Sequence, residues 1–223
     1  MKGLILLGFC FSAFGFSTHG QAIKFEFKFG QESLALGSTY IGDAGVVVDI
    51  ETLRFYVSQL KLKKLGKTIW AEKDSYHLVD LTDSNSLQLS IIEGVEFDEI
   101  SFLLGTDSLT NVSGAMGGDL DPTKGMYWAW NSGYINFKLE GSTPVRETRN
   151  NKFTFHLGGY AHPNATMQAV SLEVSESAII IVDVKAFLDG INLKEVNSIM
   201  SPGKQAVELS EKAATIFKMK DVD

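Results

Sequence analysis

The chain has 223 residues, a formal net charge of -7, 44% hydrophobic residues and a single cysteine. This acidic balance argues against nucleic acid and anionic membrane as partners, since both repel a negatively charged protein. One cysteine permits neither an internal disulfide nor a thiolate-rich metal cage, so stability must come from a packed core, which a chain of this length can build.

The first 22 residues, MKGLILLGFCFSAFGFSTHGQA, carry Lys2, an apolar run over 4–16, and the small residues Gly20 and Ala22. They read as a secretory signal peptide cleaved after Ala22, with an apolar run too short to span a bilayer. A lipid-anchored Cys10 is disfavoured, because bulky Phe9 stands where a small residue is needed. Residues 23–223 are therefore expected as one mature domain, periplasmic or secreted, without cysteine and without a membrane span.

Ile23, Phe25, Phe27 and Phe29 alternate with Lys24, Glu26 and Lys28, the pattern of a half-buried strand. The same periodicity predicts strands over 46–50, 53–62, 76–81, 86–91, 99–104, 135–139, 152–157, 169–174 and 178–187. Many short strands joined by glycine-bearing turns imply an all-β fold, an antiparallel β-sandwich. The tail changes period. Residues 193–200 and 206–219 carry apolar side chains at helical spacing, separated by Ser201, Pro202 and Gly203, and are expected to be short C-terminal helices.

Residues 125–141, GMYWAWNSGYINFKLEG, place Tyr127, Trp128, Trp130 and Tyr134 together. Four such rings need a core or a ligand to cover their apolar area. Downstream, KFTFHLGGY sets Phe153, Phe155 and Leu157 on one strand face and His156 on the other. In SYHLVDL, His77 falls on the apolar face with Val79 and Leu81, where a hydrogen-bonded core histidine is the plain structural reading. His162 stands beside Pro163 in a loop and is expected to be exposed. Two neutral imidazoles with a third soft or aromatic-derived donor suit copper, preferably Cu(I), better than zinc, which asks for four clustered ligands.

The loop over 105–125 is rich in oxygen donors: Asp107, Asn111, Asp119 and Asp121. Calcium would accept them, although their spacing is not that of an EF-hand and turn capping explains the same residues. Catalysis finds no support. There is no GxSxG elbow, no HExxH, no nucleotide-binding glycine loop and no mature cysteine nucleophile, and Ser132 has no placed base.

Four segments carry a family resemblance: LRFYVSQLKL at 53–62, YHLVDL at 76–81, the long glycine and tryptophan run at 103–141, and FTFHLGGY at 153–160. Together they resemble the MbnP-like copper-binding proteins over nearly the whole mature chain. The resemblance implies a periplasmic or secreted β-rich protein that binds one copper ion. It also implies a tryptophan oxidised to kynurenine by a partner diheme enzyme of the MauG type, acting with two histidines as ligands. Carried over, the positions are Trp128 or Trp130 for the modified residue, His156 for one ligand and His77 for the second. Trp130 is favoured over Trp128 because it lies nearer the NSGY turn. A carbohydrate-binding module using Tyr127, Trp128, Trp130 and Tyr134 is the alternative, and a purely structural plug beneath the C-terminal helices is a third. Exposure of the indoles discriminates among these readings.

Overall fold

The computed structural model describes residues 22–145, 151–174 and 177–221. The segment expected as a signal peptide lies, apart from Ala22, outside the described residues. In chain order the strands are β1 (Ala22–Phe29), β2 (Glu32–Ser33), β3 (Thr39–Ile41), β4 (Val47–Lys64), β5 (Lys67–Ala71), β6 (Tyr76–Asp80), β7 (Gln88–Ser90) and β8 (Glu99–Leu104). They continue with β9 (Tyr127–Trp128), β10 (Gly133–Ser142), β11 (Lys152–Gly158), β12 (Gln168–Glu173), β13 (Ile179–Asp183), β14 (Ser198–Ile199) and β15 (Phe217–Met219). Three short helices interrupt them: α1 (Ser108–Val112), α2 (Val184–Leu188) and α3 (Lys204–Ala214).

These strands form two facing sheets, as the alternating pattern predicts. The smaller runs β15-β13-β1-β2, with β7 also on β1. The larger runs β12-β8-β4-β10-β11-β14, with β3, β5 and β6 on the other edge of β4 and β9 on β10. Pairing is antiparallel except between β1 and β13 and between β11 and β14. Between the sheets, Phe55 meets Phe25 and Phe217 edge to face, with ring centroids 5.7 and 5.2 Å apart. Phe137 packs on Phe187 of α2. Full burial of each such ring contributes about 1.5–3 kcal/mol.

Residues 46–50 and 53–62, expected as two strands, join into the single strand β4 of 18 residues. It bends at Gln59, which takes φ 52 where its pairing with β8 shifts between Ser58 and Lys61. The strand expected over 178–187 stops at Asp183, whose carboxylate accepts from Ala186 N and caps α2.

The tail is only partly helical. α3 ends at Ala214, and Phe217 enters β15 against Val182. The helix expected over 193–200 is absent: Leu193 is buried in the core and Ile199 pairs in parallel with Phe155. The open edge of β11 satisfies the backbone there better than one frayed turn ending at Pro202.

A second, smaller core lies on the outer face of the large sheet. Residues from Leu120 to Ile135 fold over β4 and β6, burying Tyr56, Leu78, Met126, Trp128 and Tyr134 together. Tyr56 Oη donates to Asp119 O at 3.0 Å and Tyr134 Oη to Leu120 O at 3.0 Å. Burial pushes the Tyr56 phenol far above its ordinary range, so it remains a neutral donor. The aromatic segment is thus a cover on the sheet's outer face, not a plug under the C-terminal helices.

Candidate metal centre

Strand register decides what His156 can reach. It stands opposite Lys138 of β10, which stands opposite Arg54 of β4. Arg54 adjoins Phe55, a core residue, so Arg54, Lys138 and His156 project outward. His156 Nε2 lies 2.7 Å from Glu140 Oε1 and the residue is only 7% exposed. Nδ1 is left as the nitrogen for another partner.

Glu140 is the anchor of this face. The hydrogen bond from His156 outweighs the cost of burial and, helped by Thr52 and the charge of Lys138, holds its carboxyl down at about 2. Lys138 Nζ stands 3.6 Å away and also reaches Gly125 O at the start of the aromatic segment. A carboxylate that stays ionised fixes the imidazole's orientation, the usual device around a metal-binding histidine.

Trp128 covers the same face of the strand farther along. A Cβ built on Gly158 would lie 2.7 Å from Trp128 Cζ3 and 2.7 Å from Tyr134 O. Only glycine lets the indole approach β11 this closely at this point. Gly158 follows His156 by two residues on the outward face, so the ring of Trp128 and the imidazole are neighbours along one strand. Trp128 is 6% exposed, whereas Trp130, tilted 39° against it at 5.5 Å, is 66% exposed.

His77 occupies a different place. Its partner on β4 is Val57, a core residue, so the side chain leaves the sheet on the inner face, where Glu72 Oε2 meets its Nε2 at 2.7 Å. His162 is exposed beside a cis peptide bond to Pro163. Among the described residues there is no group of three or more His, Cys, Asp and Glu placed to hold a metal ion. A site using His77 and His156 together does not fit this geometry. A low-coordinate Cu(I) ion at His156 would need at least one more donor, and an intact indole offers only an N–H.

The oxygen-bearing loop is engaged by the chain itself. Asp107 caps α1 by accepting from Thr110 N, and accepts from Tyr76 Oη at 3.0 Å. Burial would raise its carboxyl, yet these bonds and one from Gln59 hold it below the ordinary range. Asn111 donates to Thr106 Oγ1 and accepts from Tyr134 N at 2.8 Å. Asp119 accepts from Leu78 N and Lys124 Nζ, and Asp121 from Thr123 N and Oγ1. Asp119 ties the aromatic cover to β6 and Asn111 ties it to α1, whereas Asp107 joins α1 to Tyr76 of β6 and Asp121 caps a turn within the cover.

Sequence reasoning missed Glu140 and Asn136. Glu140 reads as a solvated residue on an alternating strand until register places it beside His156. Asn136 sits at a shift in the β10 and β11 pairing, accepts from Thr106 N and donates to Thr166 Oγ1. It occupies the space that a side chain on Gly105, at φ 113, would need. The one signal available for it is an Asn inside the strand run YINFKL.

A family model, MbnP, matches residues 18–201. Among solved structures, MbnP from Methylosinus trichosporium superposes with a TM-score of 0.61 at 14% identity, covering 86% of this chain and 88% of that one. None of the curated proteins matches the sequence. The structural likeness at that identity shows a shared fold.

Proposed function

The chain belongs to the MbnP family, and from that premise we propose that it is a copper-binding protein holding Cu(I) on the outer face of its large sheet. His156 is the histidine donor and Glu140 its positioning residue. The observation that carries this reading is the packing of Trp128 on Gly158, which puts an aromatic ring on the face of β11 that carries a buried, carboxylate-held imidazole two residues away. The family resemblance supplies the metal and the modification: oxidation of an indole to kynurenine creates an aryl amine and a ketone, donors that the unmodified ring lacks.

Trp128 is the better placed of the two rings for this role, because its indole touches the strand that carries His156. Nearness to the NSGY turn favours Trp130 in the sequence, but its ring is 66% exposed and lies tilted against Trp128. A MauG-type diheme partner would find Trp130 at the surface and in contact with the buried ring behind it. A periplasmic or secreted location fits this chemistry and the leader expected over 1–22. No helix among the described residues is long and apolar enough to cross a membrane.

The test is the copper content of protein purified from its own periplasm or medium. His156→Ala is expected to lose stoichiometric copper, whereas His77→Ala retains it. Full copper in His156→Ala, or loss only in His77→Ala, overturns the assignment.

A further inference from the structure

We propose a second binding site, for a neutral sugar ring, beside Trp130 at the end of the sandwich. It is independent of copper and does not use His156. Trp130 presents an indole that is 66% exposed, and the ring is backed by Trp128, itself locked on Gly158. A large aromatic face held rigidly at the surface loses little freedom when a ligand stacks on it.

Asn131, the next residue, opens onto a depression of about 190 Å³. It is lined further by Gly159, Tyr160, Ala161, His162, Asn164 and Pro202. Two amides and a phenol offer donors and acceptors together, which is what vicinal hydroxyls require. No Asp, Glu, Lys or Arg lines it among the described residues. A phosphate or carboxylate ligand would find no permanently charged cation to pair with, and a metal no anionic ligand, so the lining favours a neutral polyol.

The loop that shapes the depression is tied down. Ser108 Oγ donates to Tyr160 O at 2.9 Å, Asn164 N to Ala161 O at 2.8 Å and Thr166 N to Gly159 O at 3.0 Å. Ser132, at φ 48, turns the chain sharply after Asn131 and so fixes the amide relative to the indole. The depression has room for about one sugar ring, and Trp130, which precedes the lining residue Asn131 in the chain, would offer its exposed face to a neighbouring sugar. The sequence suggests a glycan platform built from four rings, but Tyr134 and Trp128 are buried. The platform is Trp130, and the polar contacts come from the 159–164 loop, which composition does not single out.

Calorimetry and tryptophan fluorescence on the purified protein, with both indoles unmodified by mass, provide the test. The probes are gluco-, manno-, xylo- and N-acetylglucosamine oligosaccharides, with a glucuronate series as the charged comparison. At least one neutral series is expected to saturate, with Trp130→Ala weakening it about tenfold and Asn164→Ala about threefold. In this preparation His156→Ala leaves sugar binding unchanged, and in protein purified from its own host the same substitution removes copper, so the two sites fail separately. Absence of saturation by every neutral series, equal binding by Trp130→Ala, or preference for the charged series overturns the proposal. Trp130 is exposed, and an unchanged circular dichroism spectrum of Trp130→Ala confirms that the variant folds.

Discussion

His77 and His156 leave the same sheet on opposite faces: His77 is paired with inward-facing Val57, and His156 reaches outward-facing Arg54 through Lys138. A sheet's backbone separates them, so no side-chain rotation brings both imidazoles to one ion. What His156 has instead is the carboxylate of Glu140, with the indole of Trp128 packed on Gly158 two residues along the same strand.

Removing the charge while keeping the shape isolates the carboxylate's part. Glu140→Gln should fold as the parent does but bind Cu(I) about tenfold or more weakly, the usual loss when a positioning partner of a ligating histidine is changed. A competition titration against a Cu(I) chelator measures this. Equal affinity would make Glu140 a bystander.

The same carboxylate shapes acid stability. Its folded-state value of about 2 lies below the ordinary 4.5, so its contribution is fully present above pH 4.5 and is lost as the pH falls toward 2. Solvent screening at this partly exposed group reduces the contribution to about 1–2 kcal/mol. Urea midpoints of the wild type and Glu140→Gln should therefore converge between pH 4.5 and 2, and parallel curves across that window would contradict the ion pair.

Gly158→Ala forces a methyl group to within 2.7 Å of both Trp128 Cζ3 and Tyr134 O. The backbone oxygen cannot give way easily. A loss of about 1–3 kcal/mol is expected, as for other overpacked sites. Displacement of Trp128 should also shift tryptophan emission to the red, which fluorescence reads directly.

Peptide mass spectrometry of protein made in its own host should find kynurenine on the tryptic peptide that contains YWAWNSGY, and fragmentation should place it at Trp128. Modification confined to Trp130 would return the role to the exposed ring, and two intact indoles in copper-loaded protein would remove kynurenine from the site.

Much of the fold is legible because period-two alternation survives in isolated strands. Phe25, Phe27 and Phe29 can be assigned to the core from their spacing alone, and the outward orientation of His156 follows from the Phe153, Phe155 and Leu157 face. Long-range register is not legible. Neither Glu140 beside His156 nor Trp128 over Gly158 leaves a local trace, since each depends on which strands pair and where a shift falls. The 193–200 segment misleads for a related reason: its apolar residues reach the core singly, one through a turn and one through a two-residue strand.

The long strand β4 carries a dynamic consequence. Along one edge it holds β10 and then β8, and along the other β3, β6 and β5, so five neighbours share one backbone. None of them can open as an independent unit without exposing the amides of β4 that it holds. Deuterium should therefore enter the central amides of β4, such as those of Phe55 and Tyr56, only when the whole domain unfolds, and the free energy read from their exchange should equal that of global unfolding.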